Sequence, residues 1–389
     1  MKADLGNKFI EMFGPSKLPI KRYFAPGRVN LIGEYTDFNG GYVFPAAISL
    51  GIWGLLRQRT DSIINFRSLN MSSSVSIDLN QPVSFEAIDG WANYPKGIIK
   101  YLIDHGYELK GCDILYYGEL PEGTGLSSSA AILVLTAFML QHAFSKDKMD
   151  RVELAKSCRS VENNFIGVNC GIMDHFTIAH GQRDQAILLD CNNLNYSYIP
   201  FVLEKYRLVI MNTNKKRELT DSKYNERRKE CDQAFTEIRK NRHIENLCQA
   251  YLNEVEVFIT NPAIRKRARH VISENIRVSQ AVRLLCNGDL TGFGNSMIAS
   301  HKSLQQNFEV SGPELDSIVE HAISSPGCIG ARMTGAGFGG CAIALVENGK
   351  IDDFITSVGA GYKHSTGRTA EFYIAVISEG VRYEGYDGD

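Results

Sequence analysis

Apolar residues recur with helical spacing in some segments and form short strand-like runs in others. The pattern predicts a mixture of helices and strands. The apolar segment over residues 126–144 predicts a helix, and a second helix is predicted over about 149–166. Residues 220–325 are predicted to be mostly helical. Strand-like runs stand at 51–70, 113–117, 186–190, 207–212, 341–346 and 372–378. Because strands and helices do not alternate strictly, the pattern predicts an α+β fold.

Length and composition set the scale of this fold. The chain has 389 residues, and a typical domain of about 100–200 residues predicts two domains. We place them at residues 1–185 and 186–389. Hydrophobic residues make up 44% and charged residues 22%, which excludes a disordered chain. The formal net charge of −2 provides no extended basic surface, so nucleic acid is not an expected partner.

Cysteine usage and hydropathy indicate the compartment. Nine cysteines are spread along the chain without a CxxC pair, so buried, reduced thiols are expected. The N-terminal residues lack the apolar run of a signal peptide. The longest apolar stretch, at about residues 42–56, is too short and too interrupted to span a bilayer. We therefore expect a soluble, cytoplasmic protein without a membrane partner.

Three glycine-rich segments carry the candidate chemistry, at residues 25–45, 121–131 and 332–342. The second lies between a predicted strand and a predicted helix, where free backbone N–H groups and serine hydroxyls suit a phosphate. Its relevant residues are Gly123, Gly125, Ser127, Ser128 and Ser129. The segment is neither a Walker A loop nor a dinucleotide fingerprint, since the required lysine and third glycine are missing. The simpler alternative is a turn that caps the helix.

The first segment concentrates side chains that can bind sugar hydroxyls. Its carboxylates and amides include Asn30, Glu34, Asp37 and Asn39, with Arg28 close by. Carboxylates and amides on a loop can form paired hydrogen bonds with neighbouring hydroxyls. The alternative is a polar surface turn, in which such residues are common.

Taken together and in this order, the three segments resemble the three motifs of the GHMP small-molecule kinases. The first, GRVNLIGEYTDFNGG, is similar to the galactose-binding motif of the galactokinase family. Further similar stretches lie at residues 91–99, 170–176, 224–231, 267–277, 300–304 and 311–316. The resemblance implies two domains with the active site in the cleft between them. It also implies a last strand, at about residues 370–380, that can return to the first domain.

The resemblance implies roles for individual residues. Asp174 matches the catalytic aspartate that takes the proton from the sugar hydroxyl, and Arg28 matches the arginine that orients it and stabilises transition-state charge. Glu162 matches the magnesium-binding glutamate, with a serine of residues 127–129 as the second protein ligand; Ser129 is favoured and Ser128 is the alternative. The implied sugar contacts are Glu34, Tyr35, Asp37, Gly171 and Tyr224. The implied ATP contacts are Gly123, Gly125, Ser127, Ser128, Ser129 and Trp91, of which Trp91 is alternatively a core residue.

The implied activity is ATP- and Mg²⁺-dependent phosphorylation of the anomeric hydroxyl of D-galactose. Two residues depart from the family pattern, because Tyr35 stands where a histidine is usual and His175 stands where a glutamine is usual. The alternatives are the same chemistry on N-acetylgalactosamine or L-arabinose, and a non-catalytic sensor that binds galactose and ATP. We expect small molecules, sugar and ATP, as the partners, and a monomer or weak dimer.

Overall fold

Helices and mixed sheets build the protein, which confirms the predicted α+β class. The computed structural model describes residues 4–121, 125–145, 148–215 and 220–387. The helices are α1 (Leu5–Phe13), α2 (Asn93–Asp104), α3 (Ser128–Phe144), α4 (Arg151–Val161), α5 (Met173–His180), α6 (Thr220–Arg239), α7 (Leu252–Phe258), α8 (Pro262–Cys286), α9 (Leu290–Ser303), α10 (Gly312–Ser324) and α11 (Ile351–Thr366). Among these described helices, none is long and apolar enough to cross a bilayer.

The strands form three sheets. They are β1 (Lys21–Asn30), β2 (Tyr42–Val43), β3 (Pro45–Gln58), β4 (Ile63–Ser68), β5 (Val75–Asp78), β6 (Cys112–Gly118), β7 (Gln185–Asp190), β8 (Tyr196–Pro200), β9 (Tyr206–Asn212), β10 (Cys328–Met333), β11 (Cys341–Glu347), β12 (Glu371–Ala375) and β13 (Arg382–Tyr386). Their orders are β13-β1-β3-β6-β4-β5, β10-β11-β9-β12 and β2-β7-β8. Strand β4 runs parallel to β6, and the other pairs in these sheets are antiparallel.

Helix α3 lies against the six-stranded sheet and is covered on its other sides. It packs on β1 and β3, and α2, α4 and α5 contact its remaining faces. A helix enclosed in this way needs apolar residues all round instead of a single apolar stripe. This burial explains the apolar composition of the segment. It also places the start of α3, and the serines there, beside the end of β1.

The four-stranded sheet carries a second core. Its buried face includes Val209, Met211, Ala342 and Ala344, which pack with apolar residues of α6, α8, α10 and α11. Strand β10 lies at one edge of this sheet and leads directly into the third glycine-rich segment. The second core therefore positions that segment.

The chain returns to the six-stranded sheet near its end. Strand β12 pairs with β9 in the four-stranded sheet. The chain then forms a bridge between Ile377 and Ile48, and β13 pairs with β1, with Lys21 opposite Tyr386. The domain boundary at residue 185 stays a prediction; β7, which begins at Gln185, pairs with β2.

Two predicted elements differ from the structure. The strand predicted over residues 51–70 is two strands, β3 and β4, because Asp61 accepts a hydrogen bond from the backbone N–H of Ile63 (3.2 Å) and stabilises a turn. The helix predicted over 149–166 ends as an α-helix at Val161 and continues as a π-helical turn, Glu162–Ile166. The first difference lies where a polar side chain bonds the local backbone.

A close approach of two backbones fixes α9 on β10. A Cβ atom on Gly294 of α9 would overlap the carbonyl group of Ile329, and one on Gly330 would overlap the backbone of Gly294. Glycine at these positions therefore permits a contact that any other residue would block. The position of β10, and of the glycine-rich segment after it, depends on this contact.

We expect the substitution Gly294→Ala to lower the free energy of unfolding by about 1–3 kcal/mol, the usual cost of overpacking, despite the better helix propensity of alanine. Urea denaturation measures this loss. The control is Gly349→Ala, where an added Cβ meets no atom within 4 Å and the change should stay within about 0.5 kcal/mol. Equal stability of the two variants would contradict the packing argument.

Candidate active site

One pocket collects most of the residues that the sequence singled out. It is lined by Arg28, Glu34, Tyr35, Asp37, Gly125, Ser127, Ser128, Ser129, Glu162, Cys170, Gly171, Asp174, Tyr224, Gly335 and Ala336, among others. Trp91 lines a neighbouring pocket. Gly123 lies outside the described residues. The three glycine-rich segments thus meet at one place, although they are far apart in the sequence.

Arg28 and Asp174 form a bidentate ion pair in this pocket. Arg28 Nε donates to Asp174 Oδ1 over 2.8 Å, and Nη2 donates to Oδ2 over 2.7 Å. The Ser127 hydroxyl donates to the same Oδ2 over 2.5 Å. The Asp174 side chain keeps 28% of its surface exposed, whereas that of Arg28 keeps 5%. Asp174 is therefore fixed in orientation and still accessible to a ligand.

An irregularity in β1 brings Arg28 to this position. The register of β1 with β3 shifts between Pro26 and Gly27. A side chain at Gly27 would come within 2.8 Å of the Leu126 carbonyl, so the residue must be small. Beyond the shift, the backbone N–H of Arg28 donates to the Leu126 carbonyl over 3.2 Å. The end of β1 is thereby joined to the loop that precedes α3.

The first turn of α3 faces the pocket with its backbone N–H groups uncapped by a side chain. Ser127, with φ 66° and ψ 44°, makes no side-chain capping bond because its hydroxyl is directed to Asp174. Ser128 and Ser129 line both this pocket and the neighbouring one. The N-terminus of a helix favours an anion through its N–H groups and its dipole. A phosphate chain would fit between the two pockets.

The neighbouring pocket is largely apolar. Ile52, Met71, Leu120 and Ile132 contribute apolar atoms to it, together with the rings of Trp91 and Tyr94. The Trp91 indole N–H donates to the Ser73 hydroxyl over 2.8 Å, which fixes the orientation of the ring. An aromatic face beside an anion site suits the base of a nucleotide.

Glu34 also lines the first pocket and is almost fully buried. Its Oε1 accepts from the Gly335 backbone N–H over 2.7 Å and lies 3.6 Å from Nη1 of Arg332. Burial raises the pKa of Glu34, and the charges of Arg332 and Arg28 oppose this rise. These contacts join the first glycine-rich segment to the third.

Asp37 lies against the backbone of Gly171. A Cβ atom at residue 171 would overlap the Asp37 carboxylate, so glycine is required there. Burial raises the pKa of Asp37 to about 6, and the nearby charge of Asp174 adds to this rise. Two carboxylates in one pocket can share the several hydroxyls of a sugar.

Tyr35 has a backbone conformation that residues other than glycine rarely adopt, with φ 67°. Its hydroxyl donates to the Ala336 carbonyl over 2.5 Å. Its ring packs against those of Phe308 and Tyr224, with centroid distances of 4.5 and 5.5 Å. Tyr35 therefore supports the third glycine-rich segment and also contributes to the pocket wall.

Glu162 begins the π-helical turn and is buried beside three polar groups. Its Oε2 lies 2.8 Å from His175 Nε2, and the Cys170 thiol donates to the same oxygen over 3.3 Å. Burial alone would raise the pKa of Glu162. Contacts with His175 and Ser129 outweigh this effect, so the pKa of Glu162 lies below its usual value. A carboxylate beside the Ser129 hydroxyl offers the oxygen ligands that Mg²⁺ prefers. These two residues therefore fit a magnesium ion.

Several residues at the site were not identified from the sequence. Gly335 and Ala336 were recognised only as part of a glycine-rich segment, and Arg332 was not singled out. Arg332 is fully buried and donates to the Asn30 carbonyl over 2.8 Å. Its position in an otherwise apolar strand, CIGARM, was the signal that could have identified it.

Comparison with known proteins identifies the class. The family model for the N-terminal domain of GHMP kinases matches residues 93–182, and that for the GHMP kinase C-terminal region matches residues 281–364. The galactokinase galactose-binding signature matches residues 7–58. A mevalonate kinase from Methanococcus jannaschii shares the fold, with a TM-score of 0.65 at 21% identity, covering 94% of this chain and 99% of that one. The fold and the matched family models are those of a GHMP kinase.

More similar proteins narrow the class. The galactokinase of Clostridium tetani is 49% identical over 97% of this chain and 96% of its own. The galactokinase of Enterococcus faecalis is 48% identical over 98% of this chain and 99% of its own. The crystal structure of Lactococcus lactis galactokinase complexed with galactose has a TM-score of 0.94 at 43% identity, with coverage of 98% and 99%. The chain belongs to the galactokinase family.

The raised pKa of Asp37 leads to a prediction about stability. Because the folded protein disfavours the ionised carboxylate, the contribution of Asp37 to stability is full below its usual pKa of 3.8 and is lost as the pH rises through about 6. We expect Asp37→Asn to raise the free energy of unfolding of the ligand-free protein by about 1–3 kcal/mol at pH 8, and by about half as much at pH 5. The residual exposure of Asp37 to the pocket keeps this value below the full linkage energy.

Urea denaturation at the two pH values measures this effect. The control is Asp78→Asn, because hydrogen bonds from the Asn80 backbone and the Ser62 side chain lower the pKa of Asp78. That variant should lose stability instead of gaining it. A gain in Asp37→Asn that is equal at both pH values would contradict the assignment.

Proposed function

We propose that this protein transfers the γ-phosphoryl group of ATP to the anomeric hydroxyl of D-galactose, producing galactose 1-phosphate and ADP. The observation that supports this most directly is the Arg28–Asp174 pair, which lies between a carboxylate-rich pocket end and the N-terminus of α3. A sugar hydroxyl bound beside Asp174 would face a phosphate bound at the helix. The arrangement suits transfer between the two.

Asp174 acts as the general base in this proposal. Its carboxylate is oriented by Arg28 and Ser127 and is open to the pocket, so it can accept the hydroxyl proton as the oxygen attacks phosphorus. The Arg28 guanidinium lies against both carboxylate oxygens and stabilises charge on the transferred group. Most of the rate enhancement then comes from holding the reactants in line.

The sugar would occupy the end formed by Glu34, Tyr35, Asp37, Gly171 and Tyr224. Glu34 and Asp37 provide acceptors for sugar hydroxyls, and the closeness of Gly171 to Asp37 keeps that carboxylate in place. The nucleotide would place its base beside Trp91 and its phosphates along Ser127, Ser128 and Ser129, with Gly125 at the loop. Glu162 and Ser129 would hold Mg²⁺, which neutralises phosphate charge when bound.

We further propose a cytoplasmic location and a monomer or weak dimer. All nine cysteines are free thiols, which suits a reducing compartment. Gel filtration with light scattering tests the oligomeric state.

A coupled assay of ADP release tests the function. Release that depends on galactose, with the phosphate found on C1 by NMR of the product, would agree with the proposal. Binding of galactose and ATP without ADP release would indicate a sensor instead of an enzyme. A panel with N-acetylgalactosamine and L-arabinose identifies the preferred sugar.

We expect Asp174→Asn to lower kcat for galactose by at least about 10²-fold, the lower range for loss of a general base. Binding of a non-hydrolysable ATP analogue should change little, since Asp174 does not line the Trp91 pocket. The control is Asp104→Asn, at an exposed aspartate of α2 paired with Lys100. Turnover near that of the unsubstituted protein in a folded Asp174→Asn variant would remove Asp174 from the mechanism.

Tyr35 leads to a prediction about the sugar. L-Arabinose is galactose without the CH₂OH group. A carboxylate that binds the hydroxyl of that group is left unpaired when L-arabinose is bound, which costs about 1–3 kcal/mol or more of binding free energy. Sites built for a hydroxyl reject such analogues by up to about 10⁴–10⁵-fold. We expect kcat/KM for galactose to exceed that for L-arabinose by at least about 10²-fold, and Tyr35→His to stay active on galactose. Equal turnover of L-arabinose would contradict galactose as the substrate.

A further inference from the structure

We propose that Glu162, Cys170 and His175 form a binding site for Zn²⁺ that is distinct from the magnesium position, and that zinc bound there blocks the kinase. The three residues offer a carboxylate oxygen, a thiol sulfur and an imidazole nitrogen. These three atoms all lie within 4.8 Å of one another. This combination of donors is typical of zinc sites that have three protein ligands and one open position.

One of the two measured distances already suits a tetrahedral ion. Zinc bonds of about 2.0–2.3 Å place neighbouring ligand atoms roughly 3.3–3.6 Å apart in a tetrahedron. Cys170 Sγ lies 3.3 Å from Glu162 Oε2, and His175 Nε2 lies 2.8 Å from the same oxygen. Small side-chain rotations would lengthen the distance between His175 Nε2 and Glu162 Oε2. Glu162 and Cys170 also line the pocket, so the fourth position would face a water molecule there.

The buried state of His175 agrees with a ligand role. Its side chain is fully buried; Nε2 contacts Glu162 Oε2 at 2.8 Å but outside hydrogen-bonding geometry, and Nδ1 has no hydrogen-bond partner within the part of the chain that the structure describes. A buried imidazole whose hydrogen bonds are incomplete is costly. Coordination through Nε2 would satisfy one of the two nitrogens.

The surroundings favour a cation. Glu162 Oε2 accepts from the Cys170 thiol over 3.3 Å, and the Asp174 carboxylate lines the same pocket. The same charges attract a divalent ion, whose own charge then favours the thiolate. Binding would release the thiol proton to the solvent. The Asn163 side chain accepts from the Cys170 backbone N–H over 3.0 Å and holds the loop in place.

The two metals would use different sides of one carboxylate. Mg²⁺ prefers oxygen ligands and would lie towards Ser129, whereas Zn²⁺ accepts nitrogen and sulfur and would lie towards Cys170 and His175. Since Glu162 belongs to both sites, zinc would compete with magnesium. This blocking effect rests on the function proposed above, but the zinc site itself does not.

Direct binding tests the site. We would titrate the full chain with Co²⁺ as a spectroscopic probe and then displace it with Zn²⁺. The expected result is a thiolate-to-cobalt charge-transfer band that Cys170→Ser abolishes. Zinc affinity should fall by at least about 10–100-fold in Cys170→Ser and in His175→Gln, since even loss of a supporting residue costs this much. The control is Cys286→Ser, at the exposed cysteine, which should bind zinc as the unsubstituted protein does.

Circular dichroism and thermal unfolding establish that each variant is folded, and His175→Gln tests the site alone if Cys170→Ser does not fold. Unchanged zinc affinity in the folded variants, or no charge-transfer band, would overturn the proposal. In the kinase assay, zinc should inhibit, and excess Mg²⁺ or a chelator should restore turnover. Full activity with zinc bound would overturn the blocking effect. No galactose-dependent ADP release even without zinc would count against the proposed function, while the binding data would still decide the site.

Discussion

The buried pairing of Arg332 with Glu34 is the interaction on which the assembly of the site depends. Arg332 is fully buried on β10, and Glu34 follows β1, so the two charges can offset each other only when the two main sheets are in place. Removing one partner of a buried pair leaves the other charge uncompensated, at a cost of about 3–5 kcal/mol. Glu34 also accepts a hydrogen bond from the backbone N–H of Gly335. The pairing therefore joins the first and third glycine-rich segments in the wall of one pocket.

The pocket encloses carboxylates whose burial costs free energy. Burial raises the pKa of both Glu34 and Asp37, and the charge of Asp174 acts on Asp37 as well. A protein selected for stability alone would not bring these carboxylates together. A ligand with several hydroxyl groups relieves the cost, because it offers hydrogen bonds where water is largely excluded. The arrangement trades stability of the empty protein for affinity, a common feature of functional sites.

The sequence predicted the class of fold and the three segments of the site, because local patterns and motif order carry that information. The apolar composition of residues 126–144 predicted the helix α3, and the structure adds that the sheet and three helices enclose it. Three features could not be predicted: the Ser127 hydroxyl bonds Asp174, the Tyr35 hydroxyl bonds Ala336, and Arg332 bonds the Asn30 carbonyl. Each joins residues distant in the chain, so its partner depends on tertiary packing. The turn at Asp61 was local, but hydrophobic spacing alone did not indicate it.

The pairing of β13 with β1 has a consequence for how the protein is made. Strand β1 carries Arg28 and occupies an early position in the chain, whereas its outer neighbour in the sheet is the last strand. During synthesis, one side of β1 stays without its partner until residues 382–386 have left the ribosome. Unpaired strand edges of this kind bind other strands readily. Until then, the nascent chain is exposed to aggregation through the strand that supports its own active site.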